Sequence, residues 1–307
     1  KSIRRVLRKL EASIYEGNFY EAHQMYRTVH FRLSGQGEYR DCLELLYKGA
    51  LEFLSRGQQA IGEDLANLLI ETLEISKDKN FKLWIHRLCH LIQLVKQKSV
   101  GRDSLMSRAL KWSGDTSNFH RGHPLMHKCL AQVMASEENL EQACHHCLLA
   151  RDGFHCGQML VQLNKKNGYF SEVDLFIVQF VFQLLCLNDA RTAAETFETY
   201  TKFHPNIATS TPPFKLPLLN FTYFLLKLLQ TGRHSLFKTL CEIYKPSLNR
   251  DPLYEKYLHK ISIMFLGIVA PPQPAVSGFF GDLVHRFFNE VDMPDSRITT
   301  EPNNELD

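Results

Sequence analysis

The sequence predicts an all-α chain: an α-solenoid of stacked helical hairpins, of the TPR-like kind. A loop or short hairpin projects from it near residues 204–216, and an acidic, disordered tail follows it. Three observations carry this prediction. Apolar residues recur at helical spacing along most of the chain. Short polar or glycine breaks such as Gly17-Asn18 end one such stripe and begin the next. A small residue follows several of these breaks at a near-constant offset: Asn18 to Ala22, Glu38 to Cys42, Asn139 to Ala143 and Asn188 to Ala193. A small side chain there lets two helix backbones approach, and recurrence at a fixed offset is the mark of stacked repeats.

Composition allows such an array. The chain has 307 residues, of which 44% are apolar, so a sizeable core is available. A formal charge of +3 demands neither nucleic acid nor a membrane surface. The eight cysteines are too sparse for a disulfide scaffold, and no secretory signal is visible. The expectation is therefore a cytoplasmic (cytosolic) protein with reduced, mostly buried thiols.

In order along the chain, Val6, Leu7, Leu10 and Ile14 form the stripe of a first helix, and Arg4, Arg5, Arg8 and Lys9 occupy its other face. A second helix spans about Phe19 to Leu33. Through Arg32 the chain carries seven basic residues against three acidic ones. That excess is either a solvated face or a docking patch for an acidic partner. A third helix covers Tyr39 to Arg56. A fourth carries Leu65, Leu68, Leu69 and Leu73, and a fifth covers about Asn80 to Lys96. A sixth spans Asp103 to Ser113, before a polar loop from Gly114 to Gly122.

Helices then follow at His123 to Ala135, Leu140 to Leu149, Phe154 to Lys165, Glu172 to Leu187 and Asp189 to Phe203. Glu172 to Leu187 is apolar nearly all round, which places it inside the array, and its Gln179 and Gln183 argue against a bilayer span. His204 to Lys215 contains Pro205, Pro212 and Pro213 and reads as irregular. Leu218 to Leu229, Leu236 to Tyr244 and Pro252 to Phe265 complete the helices. The expected organisation is an N-terminal half over 1–135, a C-terminal half over 136–270, and a Pro-rich linker with an acidic tail over 271–307, including a late amphipathic segment around Phe279 to Phe288.

Catalytic motifs are missing: no phosphate loop, no G-x-G-x-x-G, no G-x-S-x-G elbow and no H-E-x-x-H. Cys144-His145-His146-Cys147 has the residue types of a zinc site. The same cysteines lie at i and i+3 of a helix, where small thiols suit packing, and no metal or cofactor is assigned. Asn220-Phe221-Thr222 matches a glycosylation acceptor but falls in an apolar helix. The basic excess is confined to the first hairpin, whereas nucleic-acid binding calls for a stripe along several repeats.

Five stretches stand in order along the chain: Tyr20-Glu21-Ala22-His23-Gln24-Met25-Tyr26-Arg27-Thr28; Gly49 to Leu54 with Gly57-Gln58-Gln59 and Asp64-Leu65; Ser171-Glu172-Val173-Asp174; Pro212-Pro213-Phe214 with Pro217 to Phe221; and Tyr244 to Leu248 with Arg250-Asp251-Pro252. Together they resemble the family of factor four of the guided-entry pathway for tail-anchored proteins. The resemblance covers roughly Val6 to Gly267. It implies a non-enzymatic adaptor whose N-terminal half docks a targeting ATPase and whose C-terminal half holds a ubiquitin-like protein. A BAG-type chaperone scaffold is a further implied partner. No nucleic acid and no direct membrane insertion are implied. Carried onto this sequence, the ATPase contact falls on Arg4, Arg5, Arg8, Tyr20, His23, Gln24 and Arg27, with Gln58 and Asp64 beside them. The second contact falls on Phe214, Leu218, Phe221 and Phe224, for which core packing is the competing reading.

Overall fold

The structure is a computed structural model that describes the backbone of residues 2–267 except 77, 118, 208, 210, 233 and 234, and the side chains of those residues except 2–4, 7 and 167. The acidic tail and the amphipathic segment around Phe279 to Phe288 lie outside the described residues. Among the described residues there are fifteen α-helices and no strand. They are α1 (Ser2–Tyr15), α2 (Phe19–Gly35), α3 (Tyr39–Ser55), α4 (Gln59–Ser76), α5 (Phe81–Leu94), α6 (Arg102–Ser117), α7 (Pro124–Ser136), α8 (Leu140–Leu149), α9 (Gly153–Asn167), α10 (Val173–Cys186), α11 (Ala190–Phe203), α12 (Pro217–Thr231), α13 (Leu236–Ile243), the single turn α14 (Lys245–Leu248) and α15 (Leu253–Leu266).

The hairpin turns have a common chemistry. Gly17, Gly37 and Gly57, twenty residues apart, take φ of +80°, +74° and +77°. At each, two backbone bonds close the preceding helix: at the first turn, Asn18 N–H donates to Ser13 O and Gly17 N–H to Ile14 O. This is the left-handed helix cap that glycine allows without a Cβ penalty. The next helix starts at once, with Ala22, Cys42 and Gly62 donating to the carbonyls of Asn18, Glu38 and Gln58. Glu138 and Asn188 take the same backbone conformation before Ala143 and Ala193. The offset noticed in the sequence is thus a cap followed by a helix start. Ala22, Cys42, Ala143 and Ala193 are fully buried there.

The described residues form two compact units, divided after Asp152. The division falls after Asp152, not at residue 135, because α7 and α8 pack on each other and remain in the first unit. In that unit α1 to α4 meet in sequence, as do α5 to α8, and α3 meets α5, α4 meets α6 and α5 meets α7, which is the stacking of a hairpin solenoid. One hydrophobic cluster runs from Leu10 to Leu130 through Leu46, Phe53, Leu69, Ile85 and Ile92.

In the second unit α10 is central, contacted by α9, α11, α12 and α15. Its buried residues face all directions, as its nearly unbroken apolar sequence requires. Gly153 and Gly157 let α9 lie close on α11: a Cβ at Gly157 would stand 2.6 Å from Thr199 Cβ and 2.9 Å from Thr196 O.

One helix boundary differs from expectation. α6 continues to Ser117, through Gly114, which the sequence reading placed in a loop. There the Ser113, Thr116 and Ser117 hydroxyls bond back to carbonyls of the preceding turn, so they are satisfied inside the helix. Gly114 serves contact rather than termination, since a Cβ there would stand 2.3 Å from Phe119 O.

Candidate partner-docking surface

α3 packs on both α2 and α4, and polar side chains of α2 and α4 reach each other. His23 Nε2 lies 2.7 Å from Asp64 Oδ2. Arg27 Nη1 donates to both carboxylate oxygens, at 3.0 Å and 3.1 Å. Residues 23, 27 and 64, singled out from the sequence as separate contacts, therefore form one ion-paired group. Further along the same helices His30 Nε2 is 3.2 Å from Thr72 Oγ1. On α6, Arg108 reaches Asn67 at 2.8 Å and Glu71 at 3.1 Å. A polar seam thus joins α2, α4 and α6.

Beside the seam, Tyr20, Gln24, Arg27 and Phe31 fall at i, i+4, i+7 and i+11 of α2 and share an outward stripe. Tyr20 is 77% exposed and Phe31 80% exposed. Two large aromatic side chains left in water on one helix stripe, with a guanidinium between them, are what a docking surface presents. On α1, Arg5, Arg8 and Lys9 are exposed as well. Arg4 lies in α1, and its side chain is outside those described. Gln58 is not part of this group. It is half-buried, and its backbone closes the α3–α4 turn. Phe31 was missed by the sequence reading; the signal that finds it is its place on the Tyr20–Gln24–Arg27 stripe.

The second expected surface is corrected. Phe214, Leu218 and Phe221 are buried. Phe214 packs edge-on against Phe197 with ring centroids 5.9 Å apart. The Asn220 side chain holds the Phe214 backbone with two 2.8 Å bonds, accepting from its N–H and donating to its carbonyl. Phe221 packs on Phe182 and Tyr244. These three are core, and of the four only Phe224, 45% exposed, is available to a partner. The segment 204–216 is tied down at both ends, by buried Phe214 and by buried His204, whose Nε2 bonds Asn164 Oδ1 at 2.9 Å. With Asn220 so engaged and Thr222 buried, the glycosylation triplet belongs to the core.

The cysteine–histidine cluster of α8 is also structural. His146 Nδ1 lies 2.9 Å from His127 Nδ1 of α7, and His127 Nε2 lies 2.8 Å from Arg121 O. A carbonyl only accepts, so His127 carries its proton on Nε2 and accepts at Nδ1 from His146. Burial lowers both imidazoles, His127 to about 4 and His146 to about 3. Burial pushes the Cys144 thiol up to about 12, as it does for an inert core cysteine. No cluster of three or more potential ligands suits a metal ion among the described residues. No helix among them is long and apolar enough to cross a membrane.

Comparison with known proteins agrees with this architecture. The family model "Golgi to ER traffic protein 4" matches residues 36–288. A relative from Takifugu rubripes, Golgi to ER traffic protein 4 homolog, is 43% identical over 283 residues, covering 92% of this chain and 87% of that protein. The homolog from Homo sapiens is 40% identical over 293 residues, covering 95% and 89%. Among solved structures, the crystal structure of Get4 from C. therm. superposes with a TM-score of 0.79 at 23% identity over the whole of both chains, which shows the shared fold. With the match extending over most of its length, this chain belongs to the Golgi to ER traffic protein 4 family.

Proposed function

We propose that this protein is a non-enzymatic, cytosolic adaptor in the delivery of tail-anchored proteins to the endoplasmic reticulum. Its first unit docks the targeting ATPase. Its second unit holds a ubiquitin-like protein, with a BAG-type chaperone scaffold as a further partner. Family membership supports a role in Golgi-to-ER traffic. The observation that carries the ATPase contact is the exposed α2 stripe of Tyr20, Gln24, Arg27 and Phe31 beside the exposed α1 cations Arg5 and Arg8. The aromatics supply contact area and the cations supply attraction to an acidic face. Arg27 enters with its guanidinium already oriented by Asp64, and His23 braces the carboxylate from the other side.

Binding of the purified targeting ATPase tests this. Arg5→Glu/Arg8→Glu reverses two charges that lie on the exposed face of α1, so the fold should survive. The affinity should fall at least about tenfold at low salt, and the difference should shrink as salt rises toward 0.5 M. Tyr20→Ala/Phe31→Ala should weaken binding by a factor that salt does not change. If a folded double variant of either kind binds as well as the native protein, the α1–α2 surface is not the contact. In the second unit, Phe224→Asp should weaken the ubiquitin-like partner and leave the ATPase untouched.

A further inference from the structure

Elsewhere in the first unit, α5 and α7 flank an open surface pocket lined by His86, Cys89, His90, Cys129, Gln132 and Ser136. Two of the eight cysteines thus face one space from adjacent helices. The two thiols shift each other's titration, and His86 Nδ1 lies 3.6 Å from Cys129 Sγ. Cys89 Sγ also lies 3.4 Å from Met126 Sδ.

Packing alone does not account for this arrangement. Burial raises the thiols of Cys42, Cys144 and Cys241, as it does for inert core cysteines. Cys129 goes the other way. The hydrogen bond from Cys89 lowers its thiol first, and the nearby His86 and Lys128 add to it against burial, while Cys89 is raised. A thiol of lowered pKa, a second thiol and an imidazole beside one pocket are the parts of a peroxide-reactive dithiol.

We propose that Cys129 and Cys89 form an oxidisable pair whose substrate is a small hydroperoxide such as hydrogen peroxide. The Cys129 sulfur attacks one peroxide oxygen. The S–O bond forms, the O–O bond breaks, and the departing hydroxide takes the proton that the Cys129 thiol gives up and leaves as water. Cys89 Sγ then attacks the sulfenic sulfur. The S–S bond forms, the S–O bond breaks, and the Cys89 proton leaves with the hydroxide as a second water. Two thiols are oxidised and one peroxide is reduced. The product ties α5 to α7 within the first unit. This inference stands apart from the adaptor reading, since neither cysteine touches the α1–α2 surface.

The test is oxidation of the full chain with hydrogen peroxide, followed by alkylation and non-reducing peptide mapping. The expected result is a Cys89–Cys129 linkage that forms at least about tenfold faster than any modification of Cys42, Cys144 or Cys241. In Cys89→Ala, a sulfenic acid at Cys129 should accumulate and be captured by dimedone. A linkage elsewhere, or modification of all cysteines at one rate, overturns the proposal. The mapping on native protein decides the matter even if the variant does not fold.

Discussion

At the residue scale, the His127–His146 pair makes stability depend on pH in a definite direction. Both imidazoles sit buried and neutral, and each has a folded-state value below the ordinary 6.5, at about 4 and about 3. Above pH 6.5 neither state takes up the proton, and the pair adds no pH dependence. As pH falls below 6.5 the unfolded chain gains protons that the folded chain refuses. Stability is therefore lost from pH 6.5 downward, at about 1.4 kcal/mol per pH unit for each histidine, until the folded values are reached. Urea melts at pH 7.5, 6.5, 5.5 and 5.0 should show a flat upper limb and a steep lower one. His146→Phe should lower stability at pH 7.5, because it leaves His127 Nδ1 unpaired, and should make the acid limb shallower. An acid limb as steep as the native one would show that other groups cause it. This pair was not legible in the sequence. The residues of α8 suggested a metal through Cys144 and Cys147, and only the packing of α7 on α8 reveals that His146 serves His127. The charged group of α2 was partly legible: His23, Arg27 and Asp64 were each picked out. That Asp64 unites the other two depends on the α2–α4 register, which no local pattern encodes.

At the element scale, the same fold is built from repeated caps, and each kind of glycine fails differently when replaced. Gly37 has φ of +74° and open space where a Cβ would go. Its replacement by alanine incurs only the left-handed backbone cost, about 1 kcal/mol. Gly37→Asn should recover part of that loss, because asparagine tolerates this region. Gly157 has an ordinary helical backbone but no room: its Cβ would press on Thr199 and Thr196 of α11. Gly157→Ala should cost about 1–3 kcal/mol through overpacking, and no polar substitute should rescue it. Chemical denaturation of the three variants separates the two mechanisms. If Gly37→Asn is no better than Gly37→Ala, the cap does not set the cost. Helix positions were readable because the stripes and breaks are local. The exceptions have physical causes. Gly114 looked like a terminator, but its role is to admit the Phe119 carbonyl. Phe214, Leu218 and Phe221 looked like a presented surface because proline marks a loop. A loop's exposure says nothing about the aromatic at its end, which Asn220 draws into the core.

At the scale of the whole molecule, the decisive fact is that each unit carries its own interior. The cluster from Leu10 to Leu130 is complete within residues 1–152. The second unit closes on α10, with Phe182 at the centre of Phe221, Tyr254 and Tyr257. The sequence could show that there were two groups of helices but not where they part. The expected division near residue 135 falls between α7 and α8, yet helix contacts keep both with α5 and α6. Two partner roles mapped onto two such units make a prediction about fragments. Residues 1–152 should fold alone, melt cooperatively and keep the affinity for the targeting ATPase, because every residue of the α1–α2 surface and of its supporting core is included. Residues 1–135 should not. Ending the chain at residue 135 takes His146 from His127 and removes Glu137 from the buried Arg102–Glu137 pair, whose 2.6 Å bond joins the start of α6 to the end of α7. Loss of one partner from a buried ion pair costs about 3–5 kcal/mol, a large share of a small domain's stability. Circular dichroism melts and ATPase titrations of the two fragments decide it. A stable, binding-competent 1–135 would move the boundary back to the turn between α7 and α8, and a 1–152 fragment that folds without binding would place part of the ATPase contact in the second unit.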